Sequence, residues 1–111
     1  MRVVQFSVKG VTYEGRQKTI SRLTGREPVR IIAEPENPFD SNALAVMVAF
    51  EGEVLHIGYV PKERAADIAP ELDGESVDGR IDRITGGWTM RDGSQANFGV
   101  WVEFEFPDKS K

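Results

Sequence analysis

Tyr13, Phe39 and Tyr59 are large aromatics set in polar, glycine- and proline-punctuated stretches, each with an ionic group close by in the chain. Arg16 and Lys18 follow Tyr13, Asp40 follows Phe39, and Lys62 follows Tyr59. Aromatic rings stack on nucleobases and cations hold phosphates, so this combination is the chemistry of single-strand nucleic-acid binding. Each residue also has a plainer role. Phe39 suits a plug under the end of a barrel, and Asp40 suits the cap of an Asx turn ahead of a strand.

Other chemistries find less support. His56 is the one histidine and falls within a predicted strand, where such a residue is ordinarily packed or simply exposed, and no cysteine is present. A nucleophile–base pair and a structural zinc site therefore lack their parts. Asp40, Ser41 and Asn42 with Glu51 imitate a calcium loop superficially, yet Leu44 and Ala45 stand where a ligand and the turn glycine belong. No GxxxxGK and no strand-linked GxGxxG occurs, so no nucleotide-hydrolysing site is supported and no cofactor or metal is expected.

The elements that must position these residues are mostly strands. Val4, Phe6 and Val8 alternate with polar neighbours up to Gly10, Val29 to Ala33 is β-branched, and Ala43 to Phe50 and Val54 to Val60 flank a short glycine-containing turn at 51–53. Val77 to Ile84 predicts another strand. Phe98, Val100, Val102, Phe104 and Phe106 give the clearest period-two pattern, with Trp101 on the opposite face beside Glu103 and Glu105. The polar run from Val11 to Pro28 reads as a loop with a short strand around Thr19 to Leu23. Pro61 to Ala69 is the one clear helix, with Ala65 and Ile68 at helical spacing and Pro70 as its stop. Gly86-Gly87 and Asp92-Gly93 mark turns around Trp88. This inventory predicts a mainly β chain: a small, OB-like antiparallel β-barrel with one or two short helices.

At 111 residues the chain has the size of one domain, expected over residues 1–107 with a frayed tail at 108–111. Absence of cysteine suits a reducing compartment, and no segment reads as a signal peptide or membrane span, so the cytoplasm is the expected location and no membrane partner is expected. The net charge of −4 argues against indiscriminate nucleic-acid binding. Residues 1–33 nevertheless carry seven basic side chains and two acids, a net of +5, which leaves −9 for the rest. Such a split predicts either a positive face on an acidic body or merely solvated strand faces.

Three segments taken together resemble the HIRAN domain: Val8 to Tyr13 (VKGVTY), Glu34 to Val46 (EPENPFDSNALAV) and His56 to Glu63 (HIGYVPKE) running into an alanine-containing helix. The resemblance spans roughly residues 4 to 106. It implies an OB-like barrel that grips the 3′-hydroxyl end of single-stranded DNA, as in modules of fork-remodelling helicase-like enzymes, and so a place in DNA repair. By resemblance, Tyr13 and Phe39 stack on the terminal base and Asp40 accepts a hydrogen bond from the terminal hydroxyl. Asn37 shapes the pocket, Tyr59 lines it, Lys62 meets a phosphate and Phe98 adds a further stack. Thr12 and Glu14 depart from the family pattern, which carries a basic residue before the tyrosine and an aromatic after it. Arg16 and Lys18 are the candidates to compensate.

The sequence thus predicts a non-catalytic module for single-stranded DNA ends, partnered by a DNA-processing enzyme. The alternative is a protein-interaction module on the same fold that has lost DNA binding, with Trp101 and the acidic faces as its surface. A third reading is an enzyme with Mg²⁺ held by Glu34, Glu36 and Asp40.

Overall fold

Alternating apolar residues build six strands, and their pairing is antiparallel throughout. The computed structural model describes residues 2–106. Its elements are β1 (Arg2–Ser7), α1 (Arg16–Ile20), β2 (Pro28–Ala33), β3 (Leu44–Phe50), β4 (Glu53–Tyr59), α2 (Lys62–Leu72), β5 (Val77–Thr85) and β6 (Gly99–Phe106). One sheet runs in the order β1-β6-β5-β2-β3-β4. Val4 and Phe6 of β1, Val46 and Val48 of β3, and Val100, Val102 and Phe104 of β6 point to one side and are buried there. The Phe6 and Phe104 rings stack with centroids 5.8 Å apart. Ala65, Ile68 and Leu72 of α2 add a helical stripe to the same core.

β1 and β4 are the outer strands, and the chain just beyond β1 returns to β4. Lys9 N–H donates to Tyr59 O and Tyr59 N–H donates to Lys9 O, both at 2.8 Å. This two-bond bridge brings the sheet's edges together without a continuous ladder, so the expected antiparallel barrel holds in a loose, incompletely closed form. Gly58 makes the approach possible. Its φ is 153°, and a Cβ there would collide with the Lys9 carbonyl oxygen and lie 2.5 Å from Val8 Cγ1.

Three expectations need correction. Residues 16–20 form a helix rather than a strand about Thr19 to Leu23: Gly15 turns the chain at φ 75°, and Arg16 and Ile20, four apart, are the buried pair. The second helix runs through Pro70 to Leu72. Proline there forfeits only one hydrogen bond near the end, while Leu72 gains burial. Trp101 is half-buried beneath Arg83, whose guanidinium carbon lies 4.7 Å from the ring centroid, so the exposed tryptophan is Trp88. The tail expected at 108–111 lies outside the described residues.

The charge asymmetry along the chain is largely neutralised by folding. Arg2 pairs with Glu71, Arg22 with Glu51 and Arg30 with Asp78, so three of the early cations meet acids from later in the chain. No broad positive face results from them. Exposed pairs of this kind are worth little individually, about 0–1 kcal/mol. No helix of the described residues is long and apolar enough to cross a membrane.

Glu27 is a buried carboxylate that organises the turn between α1 and β2. It accepts from Thr24 N and Oγ1 at 2.8 and 3.0 Å, from Gly25 N at 3.0 Å and from Arg26 N at 3.1 Å. Burial pushes its carboxyl up, but the N–H groups of Thr24, Glu27 and Gly25 and the Thr24 hydroxyl outweigh that, and the net is below the ordinary 4.5.

Gly58→Ala should destabilise the fold by about 1–3 kcal/mol through the forced collision and speed exchange of the Lys9 amide, measured by urea unfolding and hydrogen exchange. Wild-type stability equal to that of the variant would show that the bridge closes nothing. Glu27→Gln should cost about 1–3 kcal/mol near neutral pH, because a carboxamide cannot accept from four donors. The stability carried by a depressed carboxyl is complete above its unfolded-state value and lost as pH falls through the lower folded one. The variant should therefore lose less on acidification below pH about 4.5 than the wild type does.

Candidate nucleic-acid interface

An open cleft of about 940 Å³ lies between two loops, with the start of α2 at its edge. The first loop, residues 10–15, leaves the Lys9–Tyr59 bridge and turns into α1. The second, residues 34–43, connects β2 to β3. Tyr13, Asn37, Phe39, Asp40, Tyr59 and Lys62 all line this cleft, so six of the seven residues singled out in the sequence come together. Phe98 does not. It is half-buried, its ring occupies the space beside Gly87, and it lines a separate small pocket with Gln17 and Lys18. Its backbone is also fixed from α1, since Phe98 N–H donates to Gln17 Oε1 at 2.7 Å and Phe98 O accepts from Gln17 Nε2 at 2.9 Å. Side-chain parity at the head of β6 turns Phe98 toward the core.

The 34–43 loop is held by side chains acting as backbone partners. Asn37 Oδ1 accepts from Phe39 N at 2.8 Å and Asp40 N at 3.2 Å, while Asn37 Nδ2 donates to Glu34 Oε1 at 3.0 Å. Tyr59 OH donates to the same Glu34 oxygen at 3.0 Å. Glu34 thus ties the loop to β4. Phe39 sits on this fixed main chain with its side chain open, at 92% exposure, so it plugs no barrel end. Asp40 does cap a turn: Oδ1 accepts from Asn42 N at 2.9 Å. Its second oxygen has no protein partner among the described residues.

The 10–15 loop presents Tyr13 at 67% exposure on a main chain that turns through Gly10, Glu14 and Gly15 at positive φ. Beneath it lies Arg16, the site residue whose place the sequence did not disclose. Arg16 is 6% exposed, Nη1 donates to Gly10 O at 2.7 Å, and Nη2 approaches His56 Nδ1 at 3.5 Å. Its guanidinium carbon is 5.6 Å from the Tyr59 ring centroid. Lys18 lies outside the cleft.

A β-bulge explains why His56 and Tyr59 cooperate although three residues apart. Met47 pairs with His56 and Val46 with Gly58, leaving Ile57 as the extra residue. That insertion reverses parity, so the His56 and Tyr59 rings share a face and meet edge-on at 4.8 Å. His56 Nε2–H donates to Gly58 O at 2.8 Å, which leaves Nδ1 as the acceptor facing Arg16. This is a packed strand histidine.

Burial first, then the hydrogen bond and charge of Glu34, hold the Tyr59 phenol above its ordinary 10.0. Three cations, Lys9, Arg16 and Lys62, and three carboxylates, Glu14, Asp40 and Glu63, face the cleft. Glu34, Glu36 and Asp40 are not among any group of acids placed to hold a metal ion, since the described residues contain no such group. An exposed ring on each loop, cations and an accepting carboxylate suit a nucleotide with its phosphates.

Glu34→Ala should cost about 1–3 kcal/mol by stranding Tyr59 OH and Asn37 Nδ2, and should speed amide exchange at Phe39 and Asp40. Unchanged exchange there would remove Glu34 as the anchor. Tyr59→Phe should reduce stability by about 1 kcal/mol near neutrality. A raised phenol contributes stability that is complete below its unfolded-state value and is lost as pH rises through the folded one. The difference between variant and wild type should accordingly shrink above pH about 10, measured by denaturant unfolding across that range.

No curated protein and no solved structure matches the chain. Residues 1–103 match the HIRAN domain, a span that includes both loops of the cleft, all of α2 and most of the sheet. With the cleft and nearly the whole chain inside that match, the protein belongs to the HIRAN family of DNA-binding modules.

Proposed function

We propose that this chain holds the 3′-hydroxyl end of a single DNA strand in the cleft. Tyr13 and Phe39 take the base faces, Asp40 accepts a hydrogen bond from the terminal hydroxyl, and Lys62 with Lys9 holds backbone phosphate. Asn37 and Tyr59 position the reading loop. Phe98 lies outside the cleft and takes no part in this reading. The observation that carries the reading is Phe39, 92% exposed on a main chain fixed by Asn37, next to a carboxylate with one oxygen unengaged by the described protein groups. A strand continuing past its 3′ end would put phosphate charge against that carboxylate. The module does no chemistry of its own in this reading and presents the end to a DNA-processing enzyme.

A second reading, protein docking, has its own observation: Trp88 and Met90 stand 62% and 47% exposed on the hairpin between β5 and β6, outside the cleft. The two readings separate by experiment. Fluorescence anisotropy with oligonucleotides ending in a 3′-hydroxyl or a 3′-phosphate should favour the hydroxyl. Phe39→Ala should weaken binding about 5- to 150-fold, the worth of one stacked base. Asp40→Asn should narrow the preference for hydroxyl, and Trp88→Ala should leave binding unchanged. Equal binding of both ends, undiminished in Phe39→Ala, would sink end recognition.

A further inference from the structure

Arg16 is the one buried cation of the cleft, whereas Lys9 and Lys62 are exposed. Nη1 is committed to Gly10 O, and Nη2 lies 3.5 Å from His56 Nδ1. The same Nη2 lies 3.5 Å from Glu14 Oε1, the one carboxylate within ion-pair distance among the described residues. The two partners differ sharply in exposure, 6% for the Arg16 side chain and 78% for that of Glu14. A guanidinium drawn that far from water favours keeping an anion beside it, whereas an exposed carboxylate is solvated well without the contact.

Glu14 also sits at φ 56°, a left-handed conformation that an L-residue adopts at some cost. Its neighbour Gly15, at φ 75°, completes the turn into α1. The loop therefore holds Glu14 over Arg16 by its backbone, with a weak side-chain contact at the end. Cleft-facing cations and carboxylates balance at three each, and Glu14 supplies the carboxylate next to the buried cation.

We infer that Glu14 is a built-in competitor for a DNA phosphate at Arg16. Resting on the end-binding reading above, the inference is that a phosphate of the bound strand displaces the Glu14 carboxylate and takes its place on Nη2. Phosphate and carboxylate are interchangeable anions for a guanidinium, and phosphate offers the better acceptor set. No bond is made or broken in the exchange. Glu14 swings into solvent and Arg16 keeps a counter-ion throughout. The competitor lowers affinity for any strand that seats a phosphate on Arg16 and leaves other contacts untouched, so it acts as a brake on this one contact.

Glu14→Gln tests this, with binding of a short oligothymidylate ending in a 3′-hydroxyl read by anisotropy over a range of salt. Affinity should rise about two- to fivefold, the worth of one exposed charge pair. The slope of log K against log salt should steepen, by up to about 0.7, because the variant has no displaced carboxylate to regain a cation as the phosphate arrives. Glu63→Gln, which removes a cleft carboxylate not paired with Arg16, should not steepen the slope. In an Arg16→Gln background that keeps the wild-type thermal midpoint, the gain from Glu14→Gln should vanish, since no cation remains for Glu14 to occupy. Wild-type binding that prefers the hydroxyl but gains nothing from Glu14→Gln, or gains equally from Glu63→Gln with the same slope, overturns the competitor while end binding stands. No binding by wild type or Glu14→Gln overturns both. Binding by Glu14→Gln alone supports the competitor strongly.

Discussion

Two main-chain hydrogen bonds between Lys9 and Tyr59 set the relation between the cleft's two walls. They form only because Gly58 lets the chain beyond β1 lie against β4 closer than any Cβ would permit. From that contact the chain turns at Gly10, whose carbonyl takes Arg16, and Arg16 in turn lies over the Tyr59 ring. Tyr59 then reaches across to Glu34 and fixes the second loop. The sheet's edges, the first loop, the buried cation and the second loop are thus links in one series. A break at its first link displaces every later one, which is why a glycine within a strand bears on the geometry of the whole cleft.

Buried ionic groups are few and each is satisfied. Glu27 gathers four donors at one turn and Arg16 holds a carbonyl, and among the described residues no buried side-chain nitrogen or oxygen lacks a partner. Both groups organise loops, because a loop lacks the ladder that would otherwise satisfy its backbone. Three of the early cations, Arg2, Arg22 and Arg30, are taken up by pairs with later acids that contribute little energy but offset part of the positive excess of the first third. The cations left at the cleft act locally, against a globally negative chain, so recognition rests on placement and not on a broad field.

The strands were legible because period-two burial is a local property: Val100, Val102 and Phe104 alternate in the chain as they do in the fold. The 34–43 loop was legible for a related reason, since two prolines and Asn37 dictate a turn whatever surrounds it. Features that depend on distant partners were hidden. The five residues of α1 are too few and too polar to show a helical stripe beyond Arg16 and Ile20, and their helix is stabilised by Gln17 bonding to Val11 O and Phe98. The bulge at Ile57 leaves no mark in composition, yet it alone lets His56 and Tyr59 share a face. The burial of Arg16 follows from both, so nothing in the first loop by itself could announce it. The same dependence misled the reading of Trp101, covered by Arg83 from the neighbouring strand across a second register shift.

Phe39 stands at the solvent end of this series of contacts. An exposed phenylalanine alone signifies little, because much of any protein surface is apolar. Here, however, the backbone beneath it is anchored by Asn37, Asn37 by Glu34, and Glu34 by Tyr59. Fixing a loop's main chain costs about 1–2 kcal/mol per residue in entropy, and burial of the Phe39 ring does not offset it, since the ring is not buried. A loop stabilised by polar anchoring, at the expense of leaving its largest apolar side chain in water, has paid its ordering cost before a ligand arrives. Under the proposed function, a base covering the ring would gain the burial that folding left undone, and little further entropy would be lost on binding.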